Sequence, residues 1–136
     1  MQTLRPREWL NDEIINAYSG LSFNSIDRNY NMKLVSTFFY PALRKAISVP
    51  DDIDYAAVQK WDLLRNNYDQ DHIFIPLHTN QHHWSLAIIS GVRAYVAAYP
   101  HGGKSCITIT TLDSLASASA ESQNQRIFLH FNMVLA

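Results

Sequence analysis

Apolar positions change their spacing twice along the chain, dividing it into a helical opening, a stranded middle and a helical end. Ile14, Tyr18 and Leu21 recur at the period of one helix face. Asn11 stands before them as an N-cap, and Asp12 and Glu13 place negative charge in the first turn, where the helix dipole favours it. Leu10 and Ile15 hold the two positions of a hydrophobic staple. These signals predict a helix from Asp12 to about Leu21, followed by a polar loop from Ser22 to Asn31. From Met32 onward, Leu34, Val35, Phe38 and Phe39 predict a second helix or helical turn. Pro41 kinks or restarts it, and Leu43 to Ile47 continue as a short helix. Pro50-Asp51-Asp52 is a start signal. Ile53, Ala57, Trp61 and Leu64 after it predict an amphipathic helix from Ile53 to about Arg65.

The period then falls toward that of strands. Asp71 to His78 and Trp84 to Ser90 are runs of Ile, Leu and aromatic residues on either side of a polar turn. They predict two neighbouring strands. Gly91 begins a turn, and Tyr95 to Tyr99 predict a third strand or an insertion hairpin. Pro100 to Lys104 form a second turn. Cys106 to Leu112 are rich in β-branched residues and predict another strand, ending at Asp113-Ser114-Leu115. Ala116 to Gln125 are small and polar. Ile127, Phe131, Val134 and Leu135 return to helical spacing and predict a last helix. Helices, then strands, then a helix make the class α+β.

Composition narrows the partners. At 136 residues the chain is a single domain by length. A net charge of −1 without any Lys/Arg run argues against nucleic acid or an anionic membrane as the main partner. No apolar run is long enough to span a bilayer, and the first residues have no signal-peptide core. Cys106 is the only cysteine, which rules out an internal disulfide and fits a reducing compartment, nucleus or cytoplasm.

Candidate chemistry gathers at the strand ends. His83 opens the second strand beside Trp84, where the backbone is fixed and the ring can titrate near neutral pH. The plain alternative is a half-buried histidine at a sheet edge. Asp113 ends a later strand. If the two strands are neighbours, its carboxylate can orient the imidazole as the acid of a triad does. The nucleophile is harder to name. Cys106 opens a strand instead of standing at a helix N-terminus that would stabilise a thiolate. Ser85 and Ser114 lack a glycine elbow. His78, His82, His83 and His101 cluster in sequence, but no carboxylate or cysteine completes a metal-ligand spacing. Gly102-Gly103-Lys104 lacks the rest of a phosphate loop. No metal and no cofactor are expected.

Six blocks in order then carry a resemblance. They are Trp9-Leu10-Asn11-Asp12-Glu13-Ile14-Ile15-Asn16, Ser36-Thr37-Phe38-Phe39-Tyr40-Pro41, Val58-Gln59-Lys60-Trp61, Ile73-Phe74-Ile75-Pro76-Leu77-His78, His83-Trp84-Ser85-Leu86 and Leu112-Asp113-Ser114-Leu115. Together they resemble the SUMO-specific (sentrin-specific, ubiquitin-like-protein-specific) cysteine proteases, from about Gln2 to Leu115. The resemblance implies the N-terminal half of a papain-like fold, with helices packed on a small central mixed sheet. It implies His83 as base and Asp113 as orienting acid. Trp9 and Trp84 would form the narrow channel for the Gly-Gly tail of a SUMO-like modifier, and Asp12 would contact the modifier's body. A channel between two indoles selects glycine by steric exclusion.

The departures set further expectations. The family's Asp-Cys-Gly nucleophile segment and oxyanion glutamine occur nowhere between Met1 and Ala136, and neither Gln123 nor Gln125 is followed by that segment. The domain is therefore expected to be truncated before the nucleophile, inactive alone, and prone to self-association through an uncovered core. Gly91 to Ser105 read as an insertion between base and acid. In a compact alignment Tyr99, not Asp113, falls at the acid's position. Three readings stay open: a partial cysteine isopeptidase, a non-catalytic binding module for a ubiquitin-like modifier, and an unrelated α+β domain. The first two require Trp9 and Trp84 close together beside His83, and His83 within hydrogen-bonding reach of Asp113.

Overall fold

The computed structural model describes residues 6, 8–26, 31–47, 54, 56, 67–79 and 83–114. In chain order the elements are α1 (Asp12–Asn24), β1 (Met32–Leu34), α2 (Phe39–Ala46), β2 (His72–Thr79), β3 (His83–Ser90), α3 (Val92–Ala98), a 3-10 turn (Tyr99–His101) and β4 (Thr108–Leu112). The strands form one four-stranded sheet in the order β1-β2-β3-β4. β1 runs parallel to β2, and the other pairs are antiparallel. The fold is α+β with a mixed sheet, in keeping with the sequence pattern.

Strand alternation separates the two faces of the sheet. Ile73, Ile75 and Leu77 of β2 and Ala87 and Ile89 of β3 point to one face and are buried. Phe39, Tyr40, Leu43 and Ala46 of α2 close over them, with Val35 and Val92 at the margin. A helix of eight residues is unstable alone, so this apolar stripe is what makes α2 helical.

The other face carries Phe74, Pro76, Trp84 and Leu86 beneath α1. The Phe23 ring meets Phe74 edge-on, with centroids 5.9 Å apart. None of the residues of α1 is fully buried, so apolar burial is a weak tether for it. A polar pair supplies the rest. Asn16 Nδ2 donates to Thr37 Oγ1 at 2.8 Å, and the Thr37 backbone N–H donates to Asn16 Oδ1 at 2.9 Å. Thr37 is fully buried. The two bonds lock α1 to the loop that enters α2.

The first helix starts as expected, with Asn11 Oδ1 accepting from Ile14 N at 3.1 Å. It runs on to Asn24 because Phe23 has an aromatic partner in the sheet. Two expectations fail. Residues 32–34 form a strand, not the start of a helix: Asn31 O accepts from Asp71 N at 2.7 Å, and Met32 then pairs with His72. The helical spacing of Leu34, Val35, Phe38 and Phe39 ran across two separate elements. Residues 95–99 form helix and 3-10 turn, not strand or hairpin. Gly91 turns the chain with φ +88°, and the Arg93 guanidinium pairs with Asp71 at 2.8 Å. Three alanines in α3 supply helix propensity, and Tyr95, Val96 and Tyr99, which suggested a strand, are exposed. β4 begins at Thr108, two residues after Cys106. The helix expected over residues 53–65, apart from Asp54 and Ala56, and the last helix over residues 127–135 lie outside the described residues.

Two substitutions test these tethers by urea unfolding. Asn16→Ala strips the buried Thr37 amide and hydroxyl of their partner and should cost about 1–3 kcal/mol. An unchanged midpoint would mean that packing alone holds α1. Gly91→Ala puts a methyl 2.8 Å from the Cys106 carbonyl oxygen at φ +88°, and should cost about 1–3 kcal/mol.

Candidate active site

The β3–β4 ladder decides where the two candidate catalytic side chains meet. Leu86 pairs with Leu112 at its last step. Carried one residue further, the register sets Asp113 opposite Ser85 and diagonal to His83 on the same face, within reach of long side chains. His83 Nε2 lies 2.5 Å from Asp113 Oδ1. The side chains are only 20% and 11% exposed, so the pair is largely screened from water. When the carboxylate is ionised it can only accept, so Nε2 must then carry the hydrogen, and in the neutral ring Nδ1 is the basic nitrogen. A charge-assisted bond of this kind fixes both tautomer and ring plane. Tyr99, the alternative residue for the acid's position, lies in the 3-10 turn, 75% exposed, with its ring 6.3 Å from that of Tyr95.

Trp84 projects to the opposite face of β3 from His83. Its indole stacks on His78, its directly paired neighbour on β2, with centroids 4.3 Å apart and planes 4° from parallel. Its Nε1–H donates to the Leu10 carbonyl at 2.9 Å. That bond draws the segment preceding α1 onto Trp84. Trp9 and Asp12 therefore each stand within two residues of a direct contact with it. Trp9 is 69% exposed, and Asp12 is half-buried in the first turn of α1. A fully buried Trp9, remote from Trp84, would have favoured an unrelated structural domain, and that arrangement is not seen.

Between α1 and the sheet runs an apolar groove with a volume of about 810 Å³. Tyr18, Phe23, Phe74, Leu86 and Leu112 are among its walls, and Asp113 stands at its edge. Of the His83–Asp113 pair, Asp113 is the member that meets this apolar trough.

Cys106 is exposed and free, but it sits at the wrong end of the sheet. Its carbonyl packs against Gly91, and Thr108, two residues on, pairs with Ser90. Ser90 and His83 are the two ends of β3, seven residue steps or about 23 Å apart at strand rise. Cys106 cannot share a proton with His83. Among the described residues no group of three or more His, Cys, Asp or Glu side chains could hold a metal ion; His82 lies outside them.

Three features of the site escaped the sequence reading: the Asn16–Thr37 lock, the Leu10 carbonyl as partner of Trp84, and His78 as its stacking plate. Only the last left a trace. Once the polar turn is read as a hairpin, His78 and Trp84 fall opposite each other.

Residues 8–135 match the Ulp1 protease family, C-terminal catalytic domain. Sentrin-specific protease 2 of Homo sapiens is 37% identical over 94 residues, 65% of this chain and 14% of the relative. The crystal structure of a de-sumoylating protease has a TM-score of 0.65 at 27% identity, covering 94% of this chain and 48% of that one. The C-terminal Ulp1 protease domain in complex with Smt3, the yeast ortholog of SUMO, has a TM-score of 0.56 at 25% identity, covering 96% of this chain and 51% of that one. The chain spans about half of these solved chains and a much smaller share of the curated relative.

Asp113→Ala removes the acceptor that selects the His83 tautomer. Imidazole nitrogen NMR should show the Nε2-protonated form in the parent chain and a tautomer mixture in the variant. The variant should also lose about 1.5–3 kcal/mol of stability, the range for a hydrogen bond to a charged group. Identical spectra would show that Asp113 does not orient His83.

Proposed function

The chain belongs to the Ulp1 protease family, and from that premise we propose that it presents the base, the orienting acid and the tail-binding face of a cysteine-type isopeptidase or endopeptidase acting on SUMO-like modifiers at their Gly-Gly tail. The observation that carries this reading is the His83–Asp113 pair at the strand ends, with Trp84 fixed next to the base and tied to the segment of Trp9. In this chemistry Nδ1 of His83 accepts the proton of the attacking thiol, and Asp113 stabilises the imidazolium that results. Trp9 and Trp84 act as flat walls that pass glycine and exclude residues with a side chain. Asp12 contacts the modifier's body.

The same residues argue that these 136 residues do not cleave by themselves. The only thiol is Cys106, at the far end of β3 from the base. Loss of the nucleophile in a triad costs about six orders of magnitude in rate. The separation of Cys106 from His83 favours a second reading, in which the chain holds a ubiquitin-like modifier without turning it over.

The test uses the purified 136-residue chain and a SUMO-type modifier with and without its last two glycines. Expected are no release of a C-terminal reporter, no change on Cys106→Ser, and binding that weakens at least about tenfold, or 1.4 kcal/mol, when the glycines are removed or Trp84 is replaced by Ala. Cleavage abolished by Cys106→Ser would overturn the account of Cys106. Absence of binding, or binding indifferent to the tail, would overturn the proposal itself.

A further inference from the structure

We infer that His78 is a positioning residue for the tail-binding face: its imidazole backs one side of the Trp84 indole and holds it in the orientation in which a modifier's tail meets it. The inference rests on the proposed role of Trp84 as a channel wall.

Two restraints act on the indole, and each removes a different freedom. A tryptophan side chain turns about two torsions. The hydrogen bond from Nε1 to the Leu10 carbonyl, 2.9 Å long, pins one edge of the ring. An edge pinned at a single point still lets the plane tilt. The stack on His78 removes that tilt, with planes 4° from parallel and centroids 4.3 Å apart. This is closer than the usual 4.5–7 Å spacing of aromatic pairs, so the two rings overlap extensively. His78 and Trp84 are a direct cross-strand pair on β2 and β3. The imidazole is therefore positioned by the sheet itself and not by a loop.

The consequence is an indole with one working face. His78 occupies the other, so a ligand can stack only on the side away from β2. For a wall that admits glycine and rejects alanine, the discriminating distance is the size of one methyl group. A wall free to tilt by that much would not discriminate, and a recognition group must be held by its neighbours to be selective. His78 stands outside the apolar cluster formed with α2. A planar ring at this position can back the indole, whereas an aliphatic side chain of similar volume cannot.

The test separates flatness from bulk. Chains carrying 5-fluorotryptophan report each indole by fluorine NMR, with the Trp84 signal identified through Trp84→Phe. One narrow Trp84 signal is expected for the parent chain and for His78→Phe, and a broadened, shifted or multiple signal for His78→Ala and His78→Leu. In binding, His78→Ala and His78→Leu should weaken capture of a Gly-Gly-ended SUMO-type modifier about tenfold, the scale of one aromatic stack, and His78→Phe should restore it. Urea midpoints confirm that each variant is folded. An unchanged Trp84 signal in both His78→Ala and His78→Leu would overturn the positioning role. A disturbed signal with unaltered capture would overturn its bearing on the tail. If the parent chain captures no modifier, the proposed function fails, and the fluorine signal alone still decides whether His78 positions Trp84.

Discussion

The register of β3 against its two neighbours is the constraint from which the site follows. Because side chains alternate along a strand, a slip of one residue would exchange the two faces. Ala87 and Ile89 would leave the core under α2, His83 would turn toward α1, and Trp84 would lose both His78 and Leu10. Packing forbids the slip. Ile73 faces Ile89 and Ile75 faces Ala87 across β2–β3, and all four are buried. The apolar end of β3 therefore fixes the chemistry of its polar end. On the other flank, the pairing of Leu86 with Leu112 leaves Asp113 one step beyond the ladder, where its carboxylate meets the imidazole.

A second arrangement positions the segment that precedes α1. α1 could have been held by a buried stripe, as α2 is. Instead its orientation depends on the paired bonds between Asn16 and Thr37 and on Phe23 against Phe74. Directional bonds tolerate less sliding than apolar contacts do, which suits a helix whose leading residues must meet one indole. The outcome is that Leu10 arrives at Trp84, with Trp9 one residue before it in the chain and Asp12 two residues after it. The apolar side of α1 meanwhile borders an open groove with Asp113 at its edge.

Much of this was written in the chain, and the remainder was hidden for identifiable reasons. His83, Asp113 and Trp84 could be placed because strand ends are marked by the change from apolar runs to polar turns. The N-cap Asn11 was legible because its signal is local. β1 was not, because three residues are too few to show a period and its pairing partner lies about forty positions away. α3 was not legible because Tyr95, Val96 and Tyr99 have the composition of a strand; the turn at Gly91 could be read, but not that it leads into a helix. Tyr99 competed with Asp113 for the acid's place on sequence alone; in the fold Tyr99 is exposed and Asp113 is the residue that meets His83. Cys106 could be doubted from its context, but only the strand pairing shows that it lies at the opposite end of the sheet from His83.

The most direct test of the central claim, that one end of this sheet is built to receive the tail of a SUMO-like modifier, is an amide and indole NMR titration of the 136-residue chain with an unlabelled modifier ending in Gly-Gly. The account predicts the largest shifts at the indole N–H groups of Trp9 and Trp84 and at the backbone of residues 9–12 and 83–85, with α3 and the turn around Cys106 silent. Shifts centred on α3 and Cys106, or a footprint that persists when the two glycines are removed, would contradict it.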